Sequence, residues 1–235
     1  MNRTLKMGIA ALALAAVAPA FAQDAEEMED TVGWTPVALG LATPVQLPWG
    51  IDRWDVYGLD FNLFYSDAPH MAGLDFGGFA TLTRRSSKGL VLSLLCNGAM
   101  QDVYGVRITC GLNICPKTVK GAEIGMLAFR DTICGFDANF LGSAQHNICG
   151  LQIAGLANVT STESYGCTVA GACNLARTAY GLQLAIFYNM TDELHGAQVG
   201  LVNYVDYCPN GFQIGLINII RSNVWPVLPF VNGCF

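Results

Sequence analysis

The chain has 235 residues, with 12 Lys and Arg against 18 Asp and Glu and a formal net charge of −6. That balance excludes a nucleic-acid binder, which needs a basic stripe on one face. Only 13% of the residues are charged and 52% are hydrophobic, and outside the N-terminus no apolar run reaches the ~18–20 residues of a membrane helix; the apolar side chains belong to a packed core or to a lipid-facing β-barrel.

Arg3 and Lys6 precede an apolar run from Gly8 to Ala18, and Ala20-Phe21-Ala22 has the small-x-small form of a cleavage site. Residues 1–22 are therefore expected to be a secretion signal. Residues 23–32 form an acidic leader, with five of the seven residues from Asp24 to Asp30 acidic, and are expected to be a solvated spacer. Residues 33–57 are rich in Pro, Trp and aliphatic residues, and residues 221–235 (SNVWPVLPFVNGCF from Ser222) have a similar character. Neither follows the pattern between them, and both are expected to cap it.

Between these flanks, over residues 58–220, a glycine returns every 14 to 16 residues: Gly58, Gly73, Gly89, Gly105, Gly121, Gly135, Gly150, Gly166, Gly181, Gly196 and Gly211. Counting each glycine as position 0, positions +1 and +3 are apolar in all eleven units, as in Leu151 and Ile153 or Phe212 and Ile214. Position +2 is polar in ten of the eleven, Val91 being the exception. This period of two is the signature of a strand with one buried face. Positions +5 and +6 are often both apolar (Leu216-Ile217), which breaks the alternation and predicts a bend or a face covered on both sides. An asparagine often follows at +7 or +8, as at Asn97, Asn113, Asn158, Asn174, Asn189, Asn203 and Asn218; its tolerance of left-handed backbone suits a turn. No stretch shows helical periodicity, so the array is expected to be all-β.

Two architectures fit. In a repeat β-solenoid of about eleven 15- to 16-residue units, every unit is one coil and like residues stack on like. In an up-and-down outer-membrane β-barrel, longer alternating stretches such as Tyr180 to Met190 would cross the bilayer, and the function expected of that alternative is a small pore. A barrel built by duplication should repeat a hairpin, and no odd–even difference between units is visible, which favours the solenoid. On that reading the +1 and +3 columns fill the interior and the +2 column faces water. Gln152, Gln183, Gln198 and Gln213 then form a candidate contact column for an unidentified partner at the surface or envelope, with membrane association left open.

All nine cysteines lie beyond the signal, and export brings oxidising conditions. Cys134 and Cys149 each precede a repeat glycine in consecutive units, so stacking would bring them within disulfide reach; as small apolar fillers they would serve equally well. His70, His146 and His195 form no metal-ligand spacing, and no phosphate loop or serine-nucleophile motif occurs. Asp60, Asp75, Arg107, Glu123 and Asp137 share the +2 column, where a solvated face is expected ahead of a cation site. The expectation is a protein without catalytic, cofactor-binding or metal-binding residues.

The phrases GLQIAGLAN (150–158), GAQVGLVN (196–203) and GFQIGLIN (211–218), with VYGLDFNLFYSDAPHMAGLDFG (56–77) ahead and PVLPFVNGCF behind, resemble a bacterial family of tandem surface repeats. That family carries GLQIGLVN-like units behind a secretion signal. The resemblance covers about residues 45–235 and is weakest in the middle, where GLVLSLLCN lacks the polar +2 residue and GFDANFLGS lacks the asparagine. It implies exposure at the bacterial cell surface, with outer membrane or periplasm as the neighbouring possibilities, and it implies no known activity. The lipid anchor of some members does not carry over, because no cysteine lies near the cleavage site.

Overall fold

A computed structural model describes residues 31–49 and 53–234. The expected signal, residues 23–30 of the leader and Phe235 lie outside the described residues. The protein is all-β, a β-solenoid of about ten stacked parallel coils. It divides into two compact units, one running to Cys134 and one beginning at Gly135, and the strand Leu112–Ala154 contributes residues to both.

The repeat glycine sets the register. In the N-terminal unit Gly58, Gly73, Gly89, Gly105 and Gly121 lie opposite one another in successive parallel pairings. A second segment of each coil stacks in the same way, through Tyr65, Ala80, Cys96 and Leu112. In the C-terminal unit Gly150, Gly166, Gly181, Gly196 and Gly211 form the corresponding column. Ten of the eleven repeat glycines have positive φ; Gly181, at φ 121°, is representative. A Cβ there would overlap the carbonyl oxygen of Gly166 one coil away. The residue must be glycine for two reasons at once: a backbone conformation closed to L side chains and contact with the neighbouring rung.

Among the described residues antiparallel pairing occurs only where a flank takes part, within the N-terminal flank between Gly33–Ala42 and Val45–Leu47 and between the last repeat strand, Val202–Ile220, and the C-terminal flank strand Val227–Gly233. Neighbouring repeats run in the same direction, which is the solenoid and not the up-and-down barrel. The N-terminal flank also extends the stack: Gly33–Ala42 lies parallel to Trp54–Ala68, with a register shift either side of Pro36 and Leu41. The C-terminal flank folds back as an antiparallel cap, and a Cys208–Cys234 disulfide ties it to the last coils.

The inside and outside of the coils are the reverse of the sequence expectation. The +2 residues are buried throughout, from Asp60 and Asp75 to Gln198 and Gln213. The +1 and +3 residues that were expected to fill the interior face outward, and Phe212 and Ile214 are more than 40% exposed. The apolar part of the core is instead a column two residues before the glycine in eight of the eleven units (Val56, Met71, Val103, Val119, Ile133, Ile148, Ala179 and Leu194), interrupted by the buried Ser87 and Ser164. The C-terminal unit adds an apolar cluster of Ala176, Ala179, Leu194, Val205, Cys208 and Ile220. The physical reason lies in the rung spacing. A side-chain amide both donates and accepts, so amides about 4.8 Å apart can hydrogen-bond along the stack, which offsets much of the cost of burying them.

Candidate functional site: buried amide ladders and an outward apolar flank

In the C-terminal unit the repeat asparagines form one continuous ladder. Asn158 donates through Nδ2 to Asn174 Oδ1 (3.0 Å), Asn174 to Asn189 (3.0 Å), Asn189 to Asn203 (2.9 Å) and Asn203 to Asn218 (2.8 Å). The same Nδ2 groups donate to backbone carbonyls, for example Asn174 to Leu184 at 2.7 Å and Asn189 to Val199 at 2.9 Å. These asparagines are fully buried; they lock one coil to the next, where a role in turns was expected. The N-terminal unit holds a shorter version, with Thr81 donating to Asn97 Oδ1 and Asn97 to Asn113 Oδ1.

Of the four glutamines expected as a contact column, three form a second ladder inside the coils and Gln152 joins a separate buried network. Gln213 Nε2 donates to Gln198 Oε1 and Gln198 Nε2 to Gln183 Oε1, both at 2.8 Å. Thr191 bridges the same pair, accepting from Gln198 and donating to Gln183. Gln152 donates to Asp137 and Ser143 and accepts from Gln145. With exposure between 0 and 2%, Gln152, Gln183, Gln198 and Gln213 present nothing to a partner, and the contact column is corrected to a core column.

The charged +2 residues are buried too, so the expected solvated face does not exist. Glu123 lies between Arg107 and Arg130 and accepts from both guanidinium groups. Burial pushes its carboxyl up, and the two arginines together more than reverse that, leaving it below the usual carboxylate range. Asp60 accepts from Asn62 and Ser66, each at 2.7 Å. Burial is the main reason that its carboxyl is pushed up to about 6, against a lowering from the Ser66 hydroxyl and a further rise from Asp67. Asp75, one rung away, receives no well-formed hydrogen bond. Burial first, then the Asp60 charge, raise it well above the usual range, and the Ser66 hydroxyl only softens the shift.

The remaining candidates stay apart. His70 Nδ1 lies 2.8 Å from Ser86 Oγ, whereas His195 ends a stack of rings with Tyr165 and Tyr180 at centroid spacings of 4.5 and 4.6 Å. Among the described residues no group of three or more His, Cys, Asp or Glu side chains is placed to hold a metal ion. Cys134 and Cys149 carry no mutual disulfide; the bridge is Cys208–Cys234, a pairing that the repeat pattern gives no reason to expect because Cys234 lies beyond the last repeat.

The exterior carries the surface that sequence reasoning missed. Positions +5 and +6 both point outward at the bend between the two strands of a coil, as Ile186-Phe187 and Leu216-Ile217 do, all being more than 40% exposed. Together with +1 and +3 they make an apolar flank on each unit. In all eleven sequence units these four positions hold only aliphatic, aromatic, Met, Gly or Cys residues. In the N-terminal unit this flank includes the stacked pairs Phe61–Phe76 and Phe64–Phe79. The signal was available in the paired apolar residues at +5 and +6, which no one-sided alternation explains. Comparison of the chain with protein-family models, with curated proteins and with solved structures finds no match.

Proposed function

We propose that this chain is an exported, non-enzymatic repeat protein of the bacterial cell surface, with a structural or interaction role exerted through its outward apolar flank. The observation that carries the reading is the inversion of the coil: polar side chains are spent on ladders inside, and side chains without hydrogen-bonding groups face out. An exposed apolar surface of this kind on each unit marks an interaction site in a stable protein. The signal-like start and the resemblance of the GLQIAGLAN, GAQVGLVN and GFQIGLIN phrases to a surface-repeat family support export and display. The polar residues of the +2 column point into the core and, Asp75 aside, most of them hydrogen-bond neighbouring side chains there, which supports a non-enzymatic role.

Expression of the full chain in a Gram-negative bacterium tests this reading. The N-terminal sequence of the recovered protein should begin at Gln23, and a membrane-impermeant amine label should reach Lys88 or Lys120 in intact cells. An unprocessed chain retained in the cytoplasm would refute the reading.

A further inference from the structure

We propose that the apolar flank of the C-terminal unit packs against the same flank of a second copy of this chain, giving a two-fold dimer. The proposal rests on the reading of that flank as the working surface and names its partner. In this unit eleven large apolar side chains at positions +1, +3, +5 and +6 are more than a third exposed, with Phe140 at 75%, Ile186 at 61% and Phe187 at 58% among them. At about half the area of each side chain this is on the order of 1,000 Å² of apolar surface. The largest patch on a typical monomer is roughly 300–600 Å², and a stable pair buries about 800 Å² per partner. The flank therefore exceeds what a monomer tolerates and matches what a dimer requires.

Two further observations select a copy of the chain over a lipid surface. From Gly135 onward there are five acidic residues and only two basic ones, Arg177 and Arg221. A face that lies on a membrane is ordinarily rimmed by Lys and Arg, which engage anionic headgroups. The flank also has a fixed row repeat of about 4.8 Å, set by the parallel rungs. A second copy presents the same repeat, so rows such as Ile186-Phe187 and Leu216-Ile217 can interdigitate along their whole length, with the two faces about 10 Å apart. Because the same patch serves both partners, the contact is closed and does not propagate.

The test is light scattering on the exported full chain in detergent-free buffer, with melting followed over a hundredfold range of concentration. The expected results are twice the monomer mass and a Tm that rises with concentration. Ile186→Asp combined with Leu216→Asp should halve the mass while leaving the β-sheet circular dichroism unchanged, and Arg177→Glu on the polar side should leave the dimer intact. Four results would overturn the proposal: a wild-type monomer at every concentration, a Tm independent of concentration, a dimer that survives the paired aspartates, or flotation of monomeric wild type with phosphatidylcholine vesicles. If the aspartate variant does not fold, the wild-type concentration series decides alone. A dimer that stays in the cytoplasm would refute surface display and keep this proposal; a surface-exposed monomer would do the reverse.

Discussion

Single residues in this protein answer to the rung above and the rung below. Gly181 has φ 121° and no room for a Cβ against the Gly166 carbonyl. Gly181→Ala should therefore cost about 2–4 kcal/mol, read from urea denaturation, because strain and overlap act together. Asp75 obeys the same logic electrostatically. Buried beside Asp60 and poorly hydrogen-bonded, it is favoured in the folded state only when neutral. Asp60 in the folded protein holds its proton to about 6, against an ordinary carboxylate value of 3.8. Between those values the folded state binds more protons than the unfolded chain, so stability falls as pH rises through the window. Asp75→Asn removes one of the two charges and supplies an amide donor beside Asp60. The variant should melt higher than wild type at pH 7 and lose less stability between pH 4 and 7 in a series of thermal melts. A variant less stable than wild type at pH 7 would show that the two carboxyl groups do not oppose each other.

At the scale of one coil, the alternation of the strand divides residues between two faces, and hydrogen bonding decides which face is enclosed. Gln183 and Gln198 bond to each other and to Thr191 inside, whereas Leu182 and Leu184 lie outside among other apolar side chains. Gln183→Leu with Gln198→Leu should destabilise the protein by about 3–5 kcal/mol, since Thr191 and Gln213 lose partners in a buried setting. Leu182→Gln, which places an amide on the outer surface, should cost less than about 1 kcal/mol. Equal effects in chemical denaturation would mean that the two columns are not differently buried. The charged rung is more sensitive still. Glu123→Gln leaves Arg107 and Arg130 buried without their shared counter-charge, and a loss of about 3–5 kcal/mol is expected.

Over the whole molecule, stability is the sum of many similar rungs together with what closes the ends. The C-terminal cap pairs antiparallel with the last coil, and the Cys208–Cys234 bridge closes a loop with a sequence separation of 26. Reduction should weaken the C-terminal unit by about 3 kcal/mol, through the loop entropy returned to the unfolded chain. Urea denaturation with and without reductant measures this, and an unchanged midpoint would mean that the cap holds without the bridge.

Much of this architecture is legible in the amino-acid order. The recurrence of Gly58 through Gly211 and of the GLQIAGLAN phrase yields the period and the β class, and the absence of any odd–even difference between units yields parallel stacking. The doubled apolar residues at Leu201-Val202 and Leu216-Ile217 mark the bend. The orientation of the faces is not legible, because Leu–Gln–Leu alternates identically whichever side is enclosed. Hydrophobicity alone places the leucines inside. That preference fails here because a glutamine or asparagine one rung from its own copy has a hydrogen-bond partner that no isolated strand offers, and only the stacked coil creates it. The Cys208–Cys234 bridge is likewise a product of the fold, whereas the stacking of Asp60 on Asp75 follows from their shared +2 position and only its burial does not. What the sequence by itself determined was the repeat, its length and the two faces of each strand; the tertiary structure alone decided which face became the core, since the amide ladders that stabilise a polar interior exist only between coils.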